Sequence, residues 1–227
     1  MKIISIVSAK GGVGKTTLSA NLCIALRRNG NDVVAVDLDP QNSLRLHFGI
    51  SPAQNRGLAT IANGLTQWNE IIIEGHQGCL VLPFGRTSEY ERAVFEQQLH
   101  DDPHLLREQL SRLGLDNNTI VVIDTPPGPS IYLKQALSIA NLVVTVNLAD
   151  AASYATIPMI DGLIDQFCQN RPEFICSLYV INQLDRSRQL AGDIADIMAM
   201  QFDKNNITVI HQDQSIPEAL AFSQDTI

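Results

Sequence analysis

Short apolar runs alternate with longer stretches of mixed polarity along the whole chain. The apolar runs are rich in valine and isoleucine, which is typical of strands buried on both faces of a parallel sheet. They predict strands over residues 2–8, 32–37, 79–84, 120–124, 142–147, 174–182 and 207–210. The intervening stretches predict helices over residues 15–29, 89–113 with a break near Pro103, 131–140, 154–169, 188–202 and 215–223, and short helices with turns over residues 45–64.

This alternation predicts an α/β fold with a doubly wound, mainly parallel sheet and helices on both faces. No repeat, low-complexity tract or linker interrupts the 227 residues, so we expect one domain over residues 1–227. The first strand begins at the second residue, which leaves no room for a signal peptide, and no apolar run reaches the length of a membrane span. We therefore expect a cytoplasmic protein. The net charge of −8 argues against general binding to nucleic acids, although a local basic patch would survive it.

A glycine-rich loop with the sequence SAKGGVGKTT joins the first predicted strand to the first predicted helix. Its glycines allow backbone N–H groups to surround phosphate oxygens, and the start of the helix adds unpaired N–H groups. Lys15 supplies a positive charge to the phosphates, and the hydroxyl of Thr16 can bind Mg²⁺. The strict phosphate-loop pattern has glycine at position 9, where this chain has Ala9. The predicted nucleotide-binding residues are Gly11, Gly12, Val13, Gly14, Lys15, Thr16 and Thr17.

Three aspartates lie at the ends of buried strands. Asp37 and Asp39 end the second predicted strand, and Asp124 ends the strand over residues 120–124. In a doubly wound sheet, ligands bind beyond the carboxyl ends of the strands, so these acids face the phosphate loop. Because Asp37 and Asp39 are two residues apart, they would share one face of a regular strand. The sequence therefore predicts a site for Mg²⁺ and a nucleoside triphosphate at this edge.

The run KGGVGKTT at residues 10–17 resembles the deviant phosphate loop of the ParA/MinD ATPases, whose signature is the extra lysine at its start. The resemblance covers essentially the whole chain and implies a P-loop NTPase that forms homodimers with ATP. It assigns catalytic roles to Lys10, Lys15 and Asp39: Lys10 reaches the partner's nucleotide, and Asp39 positions the attacking water. It places Thr16, Asp37 and Asp124 around Mg²⁺.

Recognition of the base is predicted at the ends of two later strands. Asn182 lies where the family reads adenine with an asparagine, and an amide can both donate to and accept from the adenine edge. Capping of the strand end is the alternative for Asn182. His211 follows the last predicted strand, where backbone groups flank the base in this family, and a plain surface loop is its alternative.

Three segments resemble the cellulose-biosynthesis branch of the family: NSLRLHF at residues 42–48, LVLPFG at residues 80–85 and VIHQD at residues 209–213. The branch implies a regulator of bacterial cellulose synthesis and secretion that works with small regulatory subunits. It also implies slow, partner-stimulated ATP hydrolysis and recruitment to the inner membrane or a cell pole. Because both Lys10 and Lys15 are present, we expect active hydrolysis rather than a degenerate nucleotide sensor.

Two rival functions remain open within the same family. A partitioning ATPase would need a basic surface for DNA, but Lys204 is the one basic residue from position 189 to the end, and only Arg171, Arg186 and Arg188 support the idea elsewhere. A MinD-like membrane switch would need a basic amphipathic helix at the C-terminus. The family usually continues for one more helix beyond residue 227: either this sequence stops short of that helix or the helix is absent, so the sequence does not decide on membrane targeting. A reductase related to nitrogenase iron protein would need a cysteine within residues 124–136, and none is there.

Overall fold

The fold is centred on a sheet whose strands are mostly parallel. The computed structural model describes residues 1–61, 67–213 and 215. Its strands are β1 Lys2–Val7, β2 Val33–Asp37, β3 Ile73–Glu74, β4 Leu80–Leu82, β5 Ile120–Asp124, β6 Leu142–Leu148, β7 Cys176–Leu184 and β8 Ile207–His211. They lie in the order β3-β4-β2-β5-β1-β6-β7-β8, and every pair is parallel except β3 with β4. The predicted doubly wound, mainly parallel sheet is confirmed.

The helices follow the predicted alternation with small shifts at their ends. They are α1 Lys15–Arg28, α2 Glu89–Asp101, α3 Leu105–Arg112, α4 Ile131–Ile139, α5 Ala151–Phe167 and α6 Gln189–Gln201, with short 3-10 helices at Leu44–Phe48, Leu58–Ile61, Trp68–Glu70 and His76–Gly78. The break near Pro103 separates α2 from α3 as predicted. β3 was not predicted. The helix predicted over residues 215–223 lies outside the described residues except for Ser215. Within the described ranges, no helix has the length and apolar character needed to cross a membrane.

Alternate residues of β1 pack into the two layers of helices. Ile6 lies in the buried cluster beneath α1, whereas Ile3 and Val7 lie in the clusters beneath α2, α4 and α5. Apolar side chains are therefore needed on both faces of the strand, which explains why the strands read as continuous apolar runs. The same arrangement places the carboxyl ends of β1, β2, β5, β6 and β7 at one edge of the sheet.

Gln135 ties α4, the helix that follows β5, to the neighbouring helices. Its side chain is buried, and its Nε2 donates to the carbonyls of Leu99 at 2.6 Å and Asp102 at 2.7 Å. Its Oε1 accepts the amide of Leu106 at 3.4 Å. Gln135 thus binds backbone groups at the end of α2 and the start of α3, where helices lack partners of their own.

Gln135→Leu is expected to lower the free energy of unfolding by about 2–4 kcal/mol, because it leaves these buried backbone groups without hydrogen-bond partners. Chemical denaturation followed by circular dichroism measures the change. The control is Gln166→Leu, which replaces an exposed glutamine on α5 and should change stability by about 0.5 kcal/mol or less. Equal effects of the two substitutions would show that the Gln135 contacts contribute nothing specific.

Candidate functional site

The phosphate loop lies between the end of β1 and the start of α1. Gly14 stands at the N-cap of α1 with φ 87°, and no side chain of the described residues caps this helix. The N–H groups of the first turn therefore remain available to an anionic ligand. A Cβ atom at Gly14 would lie 2.4 Å from Nδ2 of Asn182, so both the backbone and the close approach require glycine. Ala9 does not adopt a positive φ, which explains why alanine is tolerated there.

Lys15 and the three predicted aspartates are all buried at this edge. Lys15 is 7% exposed, Asp39 7%, Asp124 1% and Asp37 0%. Burial lowers the pKa of Lys15, and the negative charges of Asp124 and Asp39 oppose that shift. The structure thus brings together the four charged residues that the sequence analysis placed around the phosphates.

Asp124 is held by two hydroxyl groups of α1. Thr16 Oγ1 donates to Oδ2 of Asp124 at 2.7 Å, and Ser19 Oγ donates to Oδ1 at 3.0 Å. Burial raises the pKa of Asp124 to about 6, although the Thr16 bond and the charge of Lys15 act in the opposite direction. Thr16 and Asp124 are therefore adjacent, as a shared Mg²⁺ site requires. Ser19 was not among the predicted site residues, although it lies one helical turn after Lys15 on the same face.

Asp37 makes different contacts from those predicted. β2 ends at Asp37, and the chain then turns so that the amide of Asp39 donates to Oδ1 of Asp37 at 3.0 Å. Asp39 therefore lies beyond the regular strand, so the alternation of a strand does not apply to this pair. Oδ2 of Asp37 accepts the amide of Leu44 at 3.1 Å. Burial raises the pKa of Asp37 well above its usual range, and the nearby charge of Asp124 adds to that effect.

The residues at this edge fit a divalent cation. Three carboxylates are buried at this edge, and two of them, those of Asp39 and Asp124, interact with the ammonium group of Lys15. Burial, together with the neighbouring negative charges, raises the pKa values of Asp37 and Asp124. A cation such as Mg²⁺ would supply the missing positive charge, and hydroxyl and carboxylate oxygens are the ligands it prefers. Thr16 and Asp124 are the pair best placed to hold it.

Lys10 points to a residue of the same chain. Its Nζ lies 3.2 Å from Oδ1 and 3.3 Å from Oδ2 of Asp150, and both side chains are about one-third exposed. Asp150 also caps α5, because its Oδ1 accepts the amide of Ser153 at 2.6 Å. Asp150 was not among the predicted site residues. It follows the end of β6, so the rule that located Asp124 could have located it.

The two predicted base-contacting residues lie at the ends of β7 and β8. Nδ2 of Asn182 donates to the carbonyl of Val13 at 2.8 Å and so holds the phosphate loop against β7. Its carbonyl oxygen is the part of the amide left for the base. His211 is exposed and lines an open cavity of about 300 Å³ together with Leu184, Asp185, Arg186 and Gln212. His211 thus lies beside a cavity at the edge where the phosphate loop ends.

The chain is similar in sequence to several known proteins. The family model described as cellulose biosynthesis protein BcsQ matches residues 1–226. A cellulose biosynthesis protein BcsQ from Salmonella typhimurium is 25% identical over 232 residues, which cover 99% of this chain and 85% of the relative. The chromosome-partitioning ATPase Soj of Thermus thermophilus is 30% identical, with 97% of this chain and 85% of the relative covered.

Solved structures support the fold. A plasmid partition protein from Borrelia burgdorferi, solved with bound AMPPNP, matches with a TM-score of 0.80 and 22% sequence identity. The match covers 100% of this chain and 91% of the other. The arrangement of strands and helices described above is therefore that of a nucleotide-binding protein of known structure.

Proposed function

Because the chain belongs to the BcsQ family of cellulose biosynthesis proteins, within the ParA/MinD ATPases, we propose that it hydrolyses ATP as an ATP-dependent homodimer and regulates cellulose synthesis. The observation that carries the proposal is the complete phosphate site, in which Thr16 donates to Asp124 and Lys15 lies buried among carboxylates. A family member with a degenerate site would lack one of these parts.

Each residue of the site has a physical task in this proposal. The loop amides from Gly11 to Gly14 and the ammonium group of Lys15 bind the phosphates. Thr16 and Asp124 hold Mg²⁺, which when bound neutralises charge on the phosphates. Asp39 accepts a proton of the attacking water and orients that water. The second lysine of the loop, Lys10, adds positive charge to the nucleotide of the partner copy, as an arginine finger does.

Hydrolysis and dimerisation are tested together. We expect the purified protein to release phosphate slowly from ATP only when Mg²⁺ is present, and to double in mass by light scattering with ATP but not with ADP. A protein that stays monomeric with every nucleotide would contradict the homodimer. A protein that binds ATP and never releases phosphate would contradict the enzymatic activity.

The Lys10–Asp150 ion pair should compete with the dimer contact, since one ammonium group cannot serve both. Asp150→Asn removes the charge and retains a good helix cap. Because an ion pair exposed to this degree contributes roughly 0.2–1 kcal/mol, we expect the ATP-dependent dimer to form about 1.5- to 5-fold more tightly. Analytical ultracentrifugation with ATP measures the dissociation constant. Lys10→Ala should abolish any benefit of Asp150→Asn, and an equal gain with and without Lys10 would contradict the competition.

The role in cellulose synthesis is tested with two variants used as baits. Asp39→Ala should hold the ATP-bound dimer, whereas Lys15→Ala should remain without nucleotide. We expect small subunits of the cellulose secretion complex to copurify with the first variant and not with the second. Replacement of the chromosomal copy by Lys15→Ala should lower cellulose output in the host, and unchanged output would contradict this role.

DNA partitioning is the second candidate, favoured by the relation to the partitioning ATPase Soj. Two of the three arginines that supported it, Arg171 and Arg188, already have partners within the chain. Nη1 of Arg171 donates to the carbonyls of Leu137 and Ala140 at 3.0 Å, and Arg188 lies 3.5 Å from the carboxylate of Asp185. The test is a titration of labelled duplex DNA into ATP-loaded Asp39→Ala protein at low and moderate salt. It decides between a role in DNA partitioning and a role in cellulose synthesis. Binding that requires ATP and weakens steeply with salt would favour partitioning.

A further inference from the structure

The loop from residue 38 to residue 44, here called the Asp39 loop, is stabilised by several hydrogen bonds within itself and to Asp37. The amide of Gln41 donates to Oδ1 of Asp39 at 2.9 Å, and the amide of Asn42 donates to the carbonyl of Asp39 at 2.8 Å. Asn42 adopts φ 53°, which closes the turn. The guanidinium Nε of Arg45 then donates to the carbonyl of Asn42 at 3.1 Å.

Asp37 forms hydrogen bonds with both ends of this loop. Its Oδ1 binds the amide of Asp39 at the start of the loop, and its Oδ2 binds the amide of Leu44 at the end. The fully buried carboxylate of Asp37 therefore links the two ends of the loop that carries Asp39. By contrast, the carboxylate of Asp124 is bound by hydroxyl groups of α1, one of which belongs to the predicted Mg²⁺ ligand Thr16.

We infer that Asp37 is a positioning residue for hydrolysis: it fixes the Asp39 loop through two backbone amides and does not bind Mg²⁺. The inference rests on the proposed role of Asp39 in orienting water. Each oxygen of Asp37 already accepts a backbone amide, whereas the partners of Asp124 are hydroxyl groups, which can rotate away from the carboxylate when a cation binds. Asp37 and Asp124 end neighbouring strands, but their roles differ. Asp124 would bind the metal ion, whereas Asp37 holds the Asp39 loop in position.

Asp37→Asn tests this role with almost no change in volume. A carboxamide has one oxygen and one NH₂ group, so it can accept only one of the two backbone amides and must present a donor to the other. The Asp39 loop should then shift. Because small misplacements of a reacting group cost on the order of 100-fold in rate, we expect kcat for ATP hydrolysis to fall by roughly 10- to 100-fold. The concentration of Mg²⁺ that gives half-maximal activity and the KM for ATP should stay within about two-fold of wild type.

A double-mutant cycle with Asp39→Ala separates this inference from the function on which it rests. Once Asp39 is absent, its loop no longer matters for catalysis, so Asp37→Asn should lower the residual kcat by no more than about two-fold in that background. A full additional loss of kcat, or a rise of about ten-fold in the Mg²⁺ requirement in either background, would overturn the positioning role. If Asp39→Ala itself hydrolysed ATP at the wild-type rate, the proposed function would fail instead.

The control and a second measurement guard against misfolding. Asp193→Asn removes an exposed acid on α6 and should leave kcat unchanged. In the wild-type protein, amide hydrogen exchange followed by NMR should show the amides of Asp39 and Leu44 protected with ATP alone and equally protected after Mg²⁺ is added. Loss of protection at Leu44 on addition of Mg²⁺ would show that Asp37 leaves the loop for the metal, and would overturn the inference without any variant.

Discussion

Lys15→Ala is expected to weaken ATP binding by roughly 150- to 5,000-fold, the range that follows from removing one partner of a buried charge pair at about 3–5 kcal/mol. Lys15 is 7% exposed and lies near Asp124 and Asp39. Burial lowers the pKa of Lys15, and the nearby carboxylates oppose that shift, as bound phosphates would. Without this ammonium group, the phosphates would approach buried carboxylates with no positive side chain between them.

Isothermal titration of ATP into the wild-type and variant proteins measures the loss. The matched control is Lys204→Ala, which removes an exposed lysine after α6 and should change ATP affinity by less than two-fold, or about 0.4 kcal/mol. Circular dichroism must show that Lys15→Ala is folded. A folded Lys15→Ala protein that bound ATP as tightly as the Lys204 control would contradict the assignment of the phosphate site.

The parts of the site that the sequence predicted are those defined by local rules. The phosphate loop is read from a strand, a run of glycines and a helix that are consecutive in the chain, and the same residues form it in the structure. Asp124 was predicted because a buried apolar strand ends there. Such a rule needs only the order of elements, and a doubly wound sheet brings the ends of its parallel strands to one edge.

The parts that were missed depend on contacts between distant residues or on the exact end of a strand. Lys10 and Asp150 are separated by 140 positions, so their ion pair cannot be predicted from local sequence, although the position of Asp150 just after β6 could have been noted. β3 has two residues, which is too short for any periodicity to show. The hydrogen bond from the amide of Asp39 to Asp37 was not predicted, because β2 ends at Asp37 and the backbone turns there. The alternation of side chains along a strand does not predict such a turn.

Asp39→Ala is expected to lower kcat for ATP hydrolysis by roughly 100- to 1,000-fold, within the range that a positioned acid or base contributes. ATP affinity should change little, because Lys15 and the loop amides bind the phosphates independently of this carboxylate. One oxygen of Asp39 accepts the amide of Gln41, which leaves the other for the attacking water. The ATP-bound homodimer should therefore accumulate.

Phosphate release and light scattering in the same samples measure both effects. Asp39→Asn retains an oxygen for the amide of Gln41 but removes the negative charge, so it separates the proton-accepting role from the shape of the loop. If Asp39→Asn were as slow as Asp39→Ala, the charge would be the essential feature, as expected for a residue that accepts a proton from water. If Asp39→Ala turned over ATP at the wild-type rate, another group would have to orient the water, and the dimer would not be trapped.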